Sequence, residues 1–349
     1  MNKAGPKTAK ARFIMKITQL AGSKLIEEAS NLFRIRNEPS SLALHIKVAD
    51  TKISIHVKSQ AMWDLIYPAL AWLAEPSGSD PDIEIFALDG AGVIESPWNV
   101  ENFLDGNRIS GLESGEILGT FDIENSILNL FDRSSNQGLF WIQSLSELPE
   151  WEFGAPLRKI FEWALLDRGL QVIHSAAIGF GNQGVLLCGA GGSGKSTTTA
   201  LCLNSEFATT GDDYCAITVS SPHKVYGIYG LLKLVPGSVG AKSLGGLSWV
   251  SKRSDGKVHY KIEEKMVRSL SVRAIVFPRV FDSTQELNQM TPREALLRLL
   301  SSTLNQATNP QGDLFEALVS LSKSVRAFEL NVSSDFDASR DQLGKLCRE

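Results

Sequence analysis

Apolar and polar positions alternate from residue 42: Leu42, Leu44, Ile46 and Val48 precede Asp50-Thr51-Lys52, and Ile53, Ile55 and Val57 follow it. A period of two on both sides of a short polar break predicts a β-hairpin. Residues 59–75 then hold Trp63, Tyr67 and Trp72 and predict an aromatic-rich helix, ended by Pro76, Gly78 and Pro81. Short apolar runs such as Ile83-Glu84-Ile85-Phe86 and Ile127-Leu128-Asn129-Leu130 follow, separated by Gly, Ser and Asn. Residues 1–150 thus predict a β-rich α+β module with one helix.

The texture changes near residue 150. Leu157, Ile160, Phe161, Ala164 and Leu165 recur at helical spacing up to Gly169. Val172 to Ile178 predicts one buried strand, and Val185-Leu186-Leu187-Cys188 a second that runs straight into a glycine loop. A helix over Ser196 to Leu203 and a short strand over Phe207 to Thr210 lead into Asp212-Asp213. Thr291-Pro292-Arg293-Glu294 before Ala295-Leu296-Leu297 predicts a capped structural helix. Residues 151–349 are expected to form a second, α/β domain with a mixed sheet.

Composition narrows the class. The 349 residues are 43% hydrophobic and 21% charged, as in a soluble globular protein. A net charge of -4 supplies no basic field, so neither nucleic acid nor a membrane surface is expected as a partner. The Trp and Phe stripe of the first half lacks the interleaved cations of a base-stacking platform and is assigned to core packing. Lys3, Lys7, Lys10, Arg12 and Lys16 lie in an acid-free terminus, read as frayed and solvated rather than as a basic arm. The apolar run near Ile66 to Leu73 is too short to span a bilayer. Four cysteines with no C-x-x-C pair, and no signal-peptide core, predict reduced thiols and a cytoplasmic protein. Five scattered histidines carry no zinc-ligand spacing.

The chemistry concentrates at Gly189-Ala190-Gly191-Gly192-Ser193-Gly194-Lys195-Ser196-Thr197. This fits G-x-x-x-x-G-K-[ST], in which small residues let backbone N–H groups curl around phosphate oxygens at a helix N-terminus. Lys195 would reach the β- and γ-phosphates of ATP, and the Ser196 hydroxyl would ligate Mg²⁺. Gly189, Gly191 and Gly194 also fit the dinucleotide pattern G-x-G-x-x-G. The Lys195-Ser196 pair has no role there, and a strand already precedes the loop by a tight turn, so the P-loop reading is preferred. Asp212-Asp213 follows the next strand, where one carboxylate can serve a metal and the other an acceptor hydroxyl. His174 alone reads as a buried core histidine, hydrogen-bonded to its neighbours, rather than as a catalytic one.

Together, His174, the loop ending in Lys195-Ser196 and Asp212-Asp213 resemble the catalytic domain of HPr serine kinase/phosphorylase. Its looser relatives share a phosphoenolpyruvate-carboxykinase-like fold. The spacings agree over residues 172–215. Leu231 to Leu234 before Pro236, and the strand Val272 to Phe277, are similar in texture to divergent relatives from biosynthetic clusters. Gly191 stands where the family loop usually carries serine. The resemblance implies a P-loop kinase core in which Asp213 is the base toward an acceptor serine. It makes Asp212 the metal-side partner, with His174 close to the transferred phosphoryl group.

The expected activity is therefore an ATP- and Mg²⁺-dependent kinase acting on a hydroxyl of a protein or peptide, or of a small-molecule alcohol. The competing expectation is an ATP-binding interaction module without transfer. One late cation among Lys257, Lys261, Arg268 and Arg273 could neutralise the transition state. The sequence leaves oligomerisation open.

Overall fold

The computed structural model describes residues 6–34, 42–78, 80–91, 93, 98, 102–104, 107–245, 247–252, 254–280, 286–304, 306–307, 312–332 and 336–349. It is an α/β protein with mixed sheets. Helix α1 (Pro6–Arg34) precedes β1 (Leu42–Val48) and β2 (Thr51–Val57), which form the hairpin predicted from the alternation. Helix α2 (Gln60–Leu70) crosses to β3 (Ile83–Asp89), which lies parallel to β2. The Ser59 hydroxyl caps α2 by accepting the Met62 N–H. The helix tightens into a 3₁₀ turn at Ala71–Leu73, before the predicted end at Pro76. Short strands β4 (Phe103–Leu104) and β5 (Arg108–Ile109) precede β6 (Ile117–Asp122), β7 (Ile127–Asp132) and β8 (Gln137–Ile142). The sheet order is β1-β2-β3-β8-β7-β6-β5-β4.

The frayed N-terminus is corrected: the backbone is helical from Pro6, and Lys3 lies outside the described residues. Among the described residues the first module therefore holds two α-helices, not one. Leu25, Ile26 and Ala29 of α1 pack against Phe86, Leu88, Leu128 and Leu139, closing the sheet face that α2 leaves open. Trp72 is used as predicted, for packing, and its indole also donates to the Ile228 carbonyl at 3.2 Å.

Helices α3 (Glu150–Gly154) and α4 (Arg158–Leu166) join the two sheets. Gly169 ends the segment with φ +74°, the left-handed turn that glycine tolerates. One buried cluster runs from Ile55, Ile85 and Phe140 through Ile160, Phe161 and Ala164 of α4 to Val172, Ala216 and Ile228. The residues on either side of position 150 thus share a core.

The second sheet begins with β9 (Leu170–Ile173), β10 (Ser175–Phe180) and β11 (Gln183–Cys188). After α5 (Lys195–Leu203) come β12 (Ala208–Gly211), β13 (Cys215–Thr218) and β14 (Lys224–Gly227). A small separate sheet holds β15 (Leu231–Leu234), β16 (Trp249–Lys252) and β17 (Val258–Lys261), with α6 (Val239–Ser243) between the first two. The chain closes with β18 (Ser269–Val280), β19 (Leu287–Met290), α7 (Pro292–Thr303), α8 (Gly312–Ser324), β20 (Arg326–Val332) and α9 (Phe336–Arg348). The main order is β12-β10-β11-β18-β14-β13-β9, with β20 on β18 and β19 on β20. Strand β18 is parallel to β11 and β20, and the other pairs are antiparallel. Alternation sorts the strands into two faces. Ala177, Leu186 and Ile275 face Leu299 of α7 and Leu318 of α8, whereas Ile178, Leu187 and Val276 face Cys202 of α5 and Leu343 of α9. The capping box of Thr291 and Glu294 starts α7 as predicted.

The single strand predicted over Val172 to Ile178 is corrected to two. The chain bends at His174, and the halves sit apart in the sheet: β9 pairs with β13 at one end, while β10 lies between β12 and β11. The cause is visible in the register. Gly211 pairs with Ala177 and Cys215 with Ile173, so the segment 212–214 passes the bend itself. Both halves are buried and mostly apolar, which is why the sequence pattern alone reads as continuous.

Candidate functional site

Strand β11 delivers the chain to Gly189 at φ +141°. A Cβ there would stand 2.8 Å from Ser193 Oγ, so only glycine fits without strain or collision. Gly192 and the N-cap Gly194 are also left-handed, at φ +82° and +105°. The loop folds back, with the Ser193 N–H donating to the Ala190 carbonyl at 3.2 Å. Ala190 to Gly192 are exposed, whereas Ser196 and Thr197 are half-buried on the first turn of α5. The nine-residue helix directs its unpaired N–H groups and the positive end of its dipole at the loop.

Lys195 opens α5 and is buried, with its Nζ donating to the carbonyls of Gly189 at 2.7 Å and Ala190 at 3.3 Å. The ammonium therefore lies across the loop. Burial lowers its pKa, and Asp213 and Asp212 pull it back up, which places both carboxylates within electrostatic reach.

The register that splits β9 from β10 also builds the acidic side. Asp212 is 1% exposed; its Oδ2 accepts the Lys233 backbone N–H at 3.4 Å, and its Oδ1 has no partner. Burial and the adjacent Asp213 raise its pKa, against the Ser196 hydroxyl, Lys233 and Lys195. Asp213 is a quarter exposed; its Oδ2 accepts from Lys233 Nζ at 2.5 Å and its Oδ1 lies 3.9 Å from His174 Nε2. Burial would raise its pKa, but the Lys233 ammonium outweighs it and holds the carboxyl below the usual carboxylate range. At 3.9 Å the histidine contact is electrostatic rather than a hydrogen bond.

His174 is 6% exposed, and its Nδ1 lies 3.3 Å from the Ser302 carbonyl on α7. A carbonyl only accepts, so Nδ1 carries the hydrogen and Nε2 faces Asp213. The structure thus brings Lys195, Ser196, Asp212, Asp213 and His174 together at one end of the sheet.

Lys233 completes this cluster, a role not assigned to it from the sequence. The signal was present in Leu231-Leu232-Lys233-Leu234: a cation between buried leucines on a strand needs a partner. Of the late cations, Lys257 pairs with Asp255 at 3.4 Å, and Arg268 pairs with Glu75 at 3.1 Å over the Trp72 ring. Arg273 is exposed and Lys261 half-buried. The other histidines bond elsewhere: His45 to Ser54, His223 to the Thr218 carbonyl and His259 to Ser251, while His56 faces Glu84.

The Mg²⁺ implied by the resemblance fits this donor set. Asp212 Oδ1 is a buried carboxylate oxygen without a partner, and the Ser196 hydroxyl lies near enough to this carboxyl to help lower its pKa. Mg²⁺ takes few protein oxygens and fills its octahedron with phosphate and water. Among the described residues no group of three His, Cys, Asp or Glu could hold a metal alone. No helix among them is long and apolar enough to cross a membrane. No family model matches the chain, and neither does any curated protein.

Proposed function

We propose that the chain is a P-loop phosphotransferase with an HPr-kinase-like core, moving the γ-phosphate of ATP to a hydroxyl, in the first instance a serine of a protein or peptide. The observation that carries this reading is the meeting of two elements with distinct sequence signatures. The glycine loop with Lys195 across it faces the Asp212-Asp213 pair, and His174 lies against Asp213. Phosphoryl transfer asks a protein mainly for positioning and charge neutralisation, and these groups supply both.

In this reading the loop N–H groups and Lys195 hold the phosphates. Asp212 and Ser196 would hold Mg²⁺, which screens the charge of the phosphates when bound. The acceptor oxygen bonds to the γ-phosphorus as the bond from that phosphorus to the β–γ bridging oxygen breaks. ADP leaves, and the hydroxyl proton passes to Asp213. The Lys233 ammonium on its Oδ2 keeps Asp213 ionised, so it stands ready as an acceptor but is a weak base. A loose transition state needs no stronger one.

The Asp213→Asn variant separates transfer from binding. Calorimetric titration with Mg–ATP should give the same affinity as wild type within about threefold, while γ-phosphate release to any acceptor, water included, falls by about a hundredfold or more. Unchanged release in this variant would remove Asp213 from the chemistry and favour an ATP-binding interaction module.

A further inference from the structure

A buried arginine beside the site is used by nothing in the reaction above. Arg158 opens α4, its side chain 15% exposed. Leu157 just before it adopts φ +62°, a left-handed conformation uncommon for a bulky residue, and this turn sets the start of the helix. The guanidinium pairs with Glu162, donates from Nη1 to the Gln306 carbonyl at 2.7 Å, and lies 4.8 Å from the centre of the Tyr214 ring. The Tyr214 hydroxyl donates to Gln306 Oε1 at 2.5 Å. Gln306 is thus gripped by its backbone from one side and by its side chain from the other.

Each end of this grip touches the candidate site. Tyr214 follows Asp213 directly, and its ring centre lies 5.5 Å from that of His174. Gln306 follows the C-terminal turn of α7, where the Ser302 carbonyl takes the His174 Nδ1 hydrogen. An Arg–Glu pair removed from water gives less stability than apolar residues of the same volume would. A planar donor fork does offer what an apolar pair cannot, a simultaneous hold on a carbonyl and an aromatic face. The 3.9 Å between His174 Nε2 and Asp213 Oδ1 is too long for a direct hydrogen bond.

We propose that Arg158 is a positioning residue for His174. Through Gln306 and Tyr214 it fixes the turn after α7, so that the Ser302 carbonyl holds His174 in its Nδ1–H form and leaves Nε2 beside Asp213, where the acceptor hydroxyl enters. The last clause rests on the phosphotransferase reading, whereas the tautomer and its dependence on Arg158 do not.

Long-range ¹H–¹⁵N spectra of the full chain, with ¹⁵N-histidine and His174 assigned by its His174→Gln variant, read which ring nitrogen carries the hydrogen. The expected result is Nδ1–H in wild type and a shift toward Nε2–H in Arg158→Lys. With Mg–ATP as the probe, kcat for hydrolysis should fall about tenfold to a hundredfold in that variant with KM changed less than about twofold. Tyr214→Phe, which removes only the hydroxyl, should shift the tautomer in the same direction and serves if Arg158→Lys does not fold. An Nε2–H form in wild type, or an unchanged tautomer in both variants, overturns the proposal. A tautomer that responds as stated in a wild type that never turns over Mg–ATP would sink the phosphotransferase reading and leave the positioning role standing.

Discussion

At the scale of single residues, position decides which carboxyls hold their protons. Glu152 on α3 is buried, and one of its oxygens has no partner. Burial pushes its pKa up to about 7 against Arg158 and Lys159. The folded state therefore binds this proton more tightly than the unfolded chain. The stabilising contribution is complete below about pH 4.5 and is lost as pH rises through about 7. Glu152→Gln removes the titration. Its stability relative to wild type should improve by about 2 kcal/mol between pH 5.5 and pH 8, read from urea midpoints at each pH. An equal difference at both pH values would contradict the burial argument. Asp213 shifts the opposite way because it meets the Lys233 ammonium. The pair is legible in the sequence as Asp-Asp after a strand, but its division of labour is not. Lys233 reaches it from a strand twenty residues further on, and Ser302 reaches His174 from a helix 128 residues away.

At the scale of elements, the glycine loop was readable because its constraints are local. Gly189 must be left-handed and must leave room for Ser193. Gly189→Ala should therefore weaken Mg–ATP binding by at least about tenfold, measured by calorimetry, at a stability cost of about 1–3 kcal/mol. Unchanged affinity would show that the loop conformation is not what holds phosphate. The β1–β2 hairpin and the cap of α7 were equally legible, each set by a period of two or by a box of four residues. Two elements were misread. The chain at His174 is broken by pairing partners far along the sequence, which no local period records. Helix α1 was hidden by its basic start, although Leu25, Ile26 and Ala29 carry helical spacing onto the sheet.

At the scale of the molecule, α4 ties the halves together. It lays Ile160 and Phe161 into the shared core and holds Arg158 at the site. A Cβ on Gly138 of β8 would stand 2.8 Å from Ile160 Cγ2. Gly138→Ala should cost about 1–3 kcal/mol by overpacking. Because the core is continuous, it should move one unfolding transition seen alike by tryptophan fluorescence and far-ultraviolet circular dichroism. Two separate transitions, only one of them shifted, would contradict a shared core. The central claim, that this core transfers phosphate, is tested most directly with γ-labelled ATP, Mg²⁺ and a fractionated cell extract, beside a Lys195→Ala control. The account predicts label on a protein or peptide fraction with wild type and none with the control. Bound nucleotide with no label in any fraction would contradict it.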